Sequence, residues 1–330
     1  MMKSAATRRK TGKDADAYEQ GDLFRCDITN WPVKDDIASM EFPIFSLSKN
    51  KDLESREYRR GNRVVKIIPS GVGAATVFDK DLLLYVASQL IEAKNQGRPI
   101  SRTVVVDSCD FLVGTERGDG RASFERIVDL LDRLRGTTIQ TNIETGGVTQ
   151  TEGFGMIDNY KIISEKKRTE KQVGERGKEV TRHISRVLQF SVTISEWLYN
   201  GLVNFEVLTM DRSYFRLTSS IERRLYEIAR KHCGDQGLWK INIDLLMEKV
   251  GTKVSRAKFR EELRLTMMKD SLPEYRLALD TRAKPDDVVF YSRNSGKLAK
   301  QLIAQSLSAW FSILERLDNR PIKQPAIGDV

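Results

Sequence analysis

The residues of this chain whose types and spacing could do chemistry fall into a few groups. The most extended is a row of guanidiniums: Arg256, Arg260 and Arg264 recur every fourth residue, Lys253 precedes them, and Ser255 stands where a helix N-cap would be. One helical turn, about 6 Å, separates each from the next, a spacing that spans phosphates at a groove edge and can set a fork against guanine O6 and N7. With Lys258 counted, Lys253 to Arg264 carries five basic and two acidic residues, net +3, and Glu261 and Glu262 sit off the stripe. A solvated helix face is the plainer reading of such a run, and it is the position of this helix just before a hairpin that favours DNA. His183-Ile-Ser-Arg186 matches the HxxR box with which strand-transfer enzymes hold a phosphate, with Tyr199 or Tyr214 as candidate nucleophile. Its Lys/Glu-rich, strand-like context reads more plainly as a surface hairpin. The adjacent His232-Cys233 has the residue types of a dyad, but neighbours seldom point at each other, and helix-end packing suits the pair better. Gly71-Val-Gly73-Ala-Ala-Thr76 approaches a dinucleotide fingerprint, yet it lacks the third glycine and follows Pro69, which makes it a linker.

The elements that must position these groups follow from periodicity. Residues 38–47 and 63–68 read as two strands around a charged turn at 49–62, an N-terminal β addition. Thr76 opens an apolar helix that ends before Gly97 and Pro99, a strand follows at 102–106, and a short helix at 107–113 stops at Gly114. Residues 120–136 form a second amphipathic helix with Phe124, Ile127, Val128, Leu131 and Leu134 on one stripe. Its other face carries Arg121, Ser123, Arg126 and Arg133, which could meet phosphate near the helix N-terminus or pair with Glu125 and Asp129. Strands at 137–143 and 155–163 turn at 145–147, and a basic insert at 161–186, nine basic and four acidic residues, leads to a returning strand at 186–194. A short helix opens at Ser195.

The same order then recurs. A helix at 217–232, a strand at 239–243, a short helix at 244–250 stopped by Gly251, a second amphipathic helix at 254–269 and a hairpin of 275–280 with 288–293 match the first half element for element. Phe259, Leu263 and Met267 would face the core of the second copy, and Arg282 and Lys284 lie at its hairpin tip. A helix at 298–317 closes the chain. The expected fold is α+β, with tandem winged-helix domains, an N-terminal β addition and a C-terminal helix. The expected divisions are a polar, disordered tail at 1–38, a first domain at 39–210 and a second at 211–330.

Composition narrows the class. The 330 residues and 40% hydrophobic content suit two cored domains, and 55 Lys+Arg against 46 Asp+Glu give +9, a balance suited to a polyanion. Three scattered cysteines and two histidines argue against a disulfide framework and against metal centres built on several imidazoles. No GxxxxGK[ST] phosphate cradle occurs, and the uncharged run from Leu302 to Leu314 falls short of the ~18 residues a membrane helix needs. The basic N-terminus has no apolar segment behind it and is not a secretory signal. The expectation is a non-enzymatic protein of the cytoplasm with no cofactor, no metal and no membrane partner.

Five segments in order add a resemblance: Met40-Glu-Phe-Pro-Ile-Phe-Ser-Leu-Ser-Lys49, Thr76-Val-Phe-Asp-Lys-Asp81, Gly153-Phe-Gly-Met-Ile-Asp158, Thr193-Ile-Ser-Glu-Trp-Leu-Tyr199 and Ser219-Ser-Ile-Glu-Arg-Arg-Leu-Tyr-Glu227. Over roughly residues 38–315 the chain resembles the plasmid replication initiator protein A family, and its Arg-Leu-Tyr-Glu helix is similar to that of the wider class of iteron-binding plasmid initiators built from two winged helices. The resemblance implies binding to repeated double-stranded origin sites, opening of adjacent duplex, recruitment of host initiator and replicative helicase, repression of the chain's own gene and copy control. It also implies a bacterial cytoplasmic setting, associated with nucleoid or plasmid, and a homodimer and a DNA-binding monomer that differ in role. The residues it carries across are those of the two recognition helices, 121–133 and 253–264. The readings that compete with it are a tandem winged-helix repressor without a replication role, a strand-transfer enzyme using His183 and Arg186, and a pure assembly protein with no site-specific footprint.

Overall fold

The computed structural model describes residues 23–318 apart from 119, 146–147, 150–152, 167–169, 174–178, 183–184, 235, 306 and 308. In chain order the elements of the first half are β1 (Leu23–Arg25), β2 (Val33–Asp36), α1 (Ile37–Glu41), β3 (Arg56–Arg60), β4 (Arg63–Ile68), α2 (Lys80–Asn95), β5 (Thr103–Asp107), α3 (Ser108–Gly114), α4 (Arg121–Gly136), β6 (Thr138–Thr141), β7 (Glu144–Thr145), β8 (Val148–Thr149), β9 (Ile157–Lys166), β10 (Glu170–Val173), β11 (Glu179–Arg182), β12 (Ser185–Ile194) and α5 (Glu196–Val203). There follow β13 (Val207–Met210), a 3-10 turn at Arg212–Arg216, α6 (Ser220–His232), β14 (Leu238–Asn242), α7 (Ile243–Val250), α8 (Arg256–Lys269), β15 (Tyr275–Asp280), β16 (Asp287–Ser292), α9 (Ser295–Ala304) and α10 (Ala309–Asp318).

Two sheets carry the repeat. In the first, β5 pairs with β12 and β12 with β9, all antiparallel, with Val104 opposite Val192 and Phe190 opposite Ile162. In the second, β14 pairs with β16 and β16 with β15, with Lys240 opposite Val289 and Leu277 opposite Phe290. Each copy thus runs helix, strand, short helix, long helix, hairpin, and in each the last strand lies between the other two.

Several expectations are corrected by pairings that are not local in sequence. Residues 23–36, assigned to the tail, form β1, which adds in parallel to β5, and β2, which pairs with β13, while Phe24, Trp31 and Val33 are buried. The strand expected at 38–47 begins instead as α1, because Asp36 caps it: its carboxylate accepts the Ser39 N–H at 2.7 Å and the Ser39 hydroxyl at 2.6 Å. The charged turn at 49–62 contains β3, and the partner of β4 besides β3 is β6. The strand at 137–143 therefore belongs to the N-terminal sheet, and the hairpin of the first copy is β9 with β12, extended by β10 and β11. Thr145 pairs with Val148 in a separate two-stranded ribbon. The single closing helix is two, α9 and α10, parted by a turn in which the Leu307 N–H donates to Leu302 O.

One apolar core runs through both halves, from Phe24 and Leu82 to Phe259 and Phe290. Alternation along β16 sends Val288 and Phe290 into it and Val289 and Tyr291 to a smaller cluster beneath Leu298, Leu302 and Leu314 of the closing helices. The first helices of the two copies, α2 and α6, are buried nearly all round, charged residues included. Lys80 Nζ lies 2.7 Å from Asp35 and 3.3 Å from Glu227; Glu227 also binds Arg224 and accepts the Tyr214 hydroxyl; Arg223 pairs with Asp81, which also holds Arg117. Burial disfavours the Lys80 charge, but Asp35 and Glu227 hold its pKa above the ordinary value. Burial likewise pushes Asp35 up, to about 7, against the pull of Lys80. Ionic links thus tie β2 and α2 of the first half to α6 of the second.

Gly251 ends α7 in the left-handed region, at φ 76°, and a Cβ there would lie 2.5 Å from Pro43 Cβ and 3.1 Å from the Tyr58 hydroxyl. Gly251→Ala is expected to lower stability by about 1–3 kcal/mol, read as a fall in the urea midpoint at unchanged slope, because it adds an unfavourable φ to a clash with the Pro43 ring. An unchanged midpoint would show that the α7–α8 turn is not fixed against the N-terminal segment.

Candidate nucleic-acid interface

The long helix of the second copy, α8, starts where expected: the Ser255 side chain accepts the Lys258 N–H at 3.3 Å. Phe259 and Leu263 are fully buried, with Thr266 beside them, so the opposite face is fixed outward. That face shows Ala257, Glu261, Arg264, Leu265 and Met268 to solvent, and Lys258 lies at its edge. A four-residue repeat drifts about 40° per step around a helix, so the arginine row climbs from the flank at Arg256 to the outer face at Arg264.

The structure assigns the row unequal circumstances. Arg256 Nη2 lies 2.7 Å from Asp244 at the start of α7, and Arg260 Nη2 lies 2.6 Å from Asp286 at the base of the β15–β16 turn. Lys253 binds Glu54 of the N-terminal segment at 2.5 Å. Arg264 and Lys258 are exposed and make no ion pair among the described residues. At the hairpin tip Arg282 folds back on Asp280, Nε at 2.8 Å and Nη2 at 2.7 Å, while Lys284 is exposed. Arg256, Arg260, Thr281, Lys284 and the two aspartates line a groove of about 430 Å³ between α8 and the hairpin turn. Asp244, Asp286 and Glu54 were not among the expected site residues; periodicity marks which face a residue occupies and carries no signal for a partner on another element.

In the first copy Gly120 caps α4 without a side-chain bond, and Phe124, Ile127, Leu130, Leu131 and Leu134 are buried. Ser123 and the exposed Arg126 line a cleft of about 760 Å³ together with Lys49, Lys51 and Thr218. Arg133 lines the same cleft, toward its inner end. Its fork holds the buried Asp79 carboxylate with two bonds of 2.7 Å, which raises its pKa and anchors α4 to the start of α2. A phosphate contact by Arg133 would have to compete with this internal bond. The Arg121 side chain lies outside the described residues, as does His183.

The other chemical candidates have structural roles. The Tyr214 hydroxyl is fully buried and donates to Glu227, and burial holds its pKa well above 10; the Tyr199 hydroxyl donates to Ile100 O. His232 stacks on Trp239 at 4.6 Å, and burial with the nearby Lys249 lowers its pKa to about 4. Cys233 turns away to Gln236 O at 3.2 Å, and burial pushes the thiol up to about 12, so the pair forms no dyad. Among the described residues no group of three or more His, Cys, Asp and Glu could hold a metal ion, and no helix is long and apolar enough to cross a membrane.

Comparison with known proteins gives three findings. The family model described as replication initiator protein A matches residues 34–277. A protein of Wigglesworthia glossinidia brevipalpis, named as a replication protein by inference, is 37% identical over 253 residues, covering 76% of this chain and 86% of that protein. A crystal structure of domains 2 and 3 of RctB superposes with a TM-score of 0.55 at 12% identity, over 78% of this chain and 98% of that one, and a second structure of those domains gives 0.50 at 14%, over 77% and 97%. At such identities the likeness to RctB is one of fold, a mixture of helices and sheets.

Proposed function

The chain belongs to the replication initiator protein A family, and from that membership we propose that it starts plasmid replication by binding repeated origin DNA through two winged helices. The observation that carries this reading is the repeated element order with its shared sheet order, each copy presenting one long helix ahead of a hairpin. In this reading α8 enters a major groove with Arg264 and Lys258 leading, Arg256, Arg260 and Lys253 reach the flanking backbone, and Ser255 sets the helix start. Lys284, with Arg282, supports the hairpin tip against the backbone. The less basic α4 reads the neighbouring groove through Arg121, Ser123 and Arg126, helped by the partial positive charge of its N-terminus. The reading units are residues 39–210, joined by β1 and β2, and residues 211–330.

Two coupled modules bind more tightly than either alone, and binding beside an easily melted segment would favour its opening. Host initiator and helicase are the recruited partners of this proposal, and the protein acts at the plasmid, in the bacterial cytoplasm. A footprint on the DNA flanking the gene tests it. Direct repeats of about 20 base pairs should be protected in successive major grooves on one face, about 10 base pairs apart. Absence of protected repeats would overturn the proposal. Transformation with the origin fragment, with and without the gene, separates initiation from repression alone.

A further inference from the structure

The cations of the proposed groove helix are largely matched, one by one, with carboxylates of the same chain: Arg256 with Asp244, Arg260 with Asp286, Lys253 with Glu54. A surface built only to grip a polyanion would leave them free. The pair at Asp286 is also imperfect. Its charged atoms are 2.6 Å apart, yet neither Asp286 Oδ2 nor the buried Arg260 Nε has a directional hydrogen bond. In contrast, Arg133 meets Asp79 with both N–H groups aligned. A fork with an unmet donor gains from a ligand that satisfies it, whereas a fully bonded fork does not. The groove of about 430 Å³ in front of Arg256 and Arg260, with Lys284 at its edge, gives a phosphate oxygen a way in.

We propose that Asp244 and Asp286 are specificity-determining residues that hold Arg256 and Arg260 in place of DNA phosphates, so that duplex offering backbone alone binds weakly. The proposal rests on the reading of α8 as a groove helix. Binding to non-cognate duplex draws almost wholly on phosphate neutralisation. With both arginines held, such DNA meets Arg264, Lys258 and Lys284 and little else on this copy. At a cognate repeat, contacts to base edges hold α8 in register long enough for the arginines to exchange carboxylate for phosphate.

The test is binding of full-length protein to two probes across a salt series: a mixed-sequence duplex of about three helical turns, and the repeats flanking the gene. Asp244→Asn, which keeps the shape and removes the charge, is expected to raise affinity for the mixed-sequence duplex about tenfold and to steepen its salt slope by about one unit. Affinity for the repeats should change less, so discrimination falls. Asp286→Asn should act in the same direction. Asp286 is buried and its carbonyl accepts the Ile243 N–H, so a thermal midpoint accompanies that variant, and the half-exposed Asp244 carries the test if it unfolds. Unchanged mixed-sequence affinity and slope in Asp244→Asn would overturn the inference while leaving the groove helix standing. Failure of the unaltered protein to prefer the repeats would overturn the reading of α8 itself.

Discussion

Lys80→Met is expected to lower the stability of the fold by about 3–5 kcal/mol, because it removes the shared partner of two carboxylates held out of water. Methionine fills much the same volume, so the loss is one of charge and not of packing. Lys80 and Asp35 are each 1% exposed and Glu227 2%, which leaves no route to solvent for the stranded charges. Arg224 still serves Glu227, but Asp35 has no second ion pair among the described residues. Glu227 keeps Arg224 and the Tyr214 hydroxyl, so it is Asp35, already raised to about 7 by burial, that is driven further toward the neutral acid when Lys80 is gone. Above about pH 7 the folded variant therefore binds more protons than the folded wild type, so the loss grows as pH rises through about 7 and is smallest below it. Chemical denaturation at several pH values checks both parts. A loss below about 1 kcal/mol, or one independent of pH, would show that Lys80 does not hold the carboxylates together.

The second large effect concerns DNA. The double variant Lys258→Glu with Arg264→Glu is expected to weaken binding to origin repeats by about 100-fold or more at moderate salt and to flatten the salt slope by about two units. Both residues are exposed and neither makes an ion pair among the described residues, so folding should change by no more than about 0.5 kcal/mol. That separation makes the pair informative. Anisotropy titration against the repeats, with a denaturation curve on the same sample, reads both quantities. A stable variant that binds with unaltered slope would exclude α8 from the interface.

The helices were legible because their signals are local. The fourfold spacing of Phe259 and Leu263, the Ser255 and Ser219 caps and the Gly251 stop place α6 to α8 within a few residues of the observed bounds. The duplication could be read for the same reason. Strand partners could not: the alternation at 137–143 names a strand but not whether β4 or β9 lies beside it. The buried side chains of residues 23–36 were hidden because they form no periodic run: Phe24, Trp31 and Val33 are interrupted by Arg25, Asp27, Asn30 and Pro32. At the site, the basic residues were found and their circumstances were not. Asp79, Asp244 and Asp286 approach Arg133, Arg256 and Arg260 only through tertiary packing, and no spacing rule connects residues 54, 12 and 26 positions apart.

The unbroken core and the ionic links between β2, α2 and α6 make the distance from α4 to α8 a property of packing and not of tether length. If α4 and α8 read DNA as proposed, such a protein is a ruler with a fixed phase. One base pair added between two half-sites shifts the second by about 3.4 Å and rotates it by about 36°, and a rigid ruler cannot follow. An origin and its initiator built in this way must change together, the repeat length on one side and the interior of the molecule on the other.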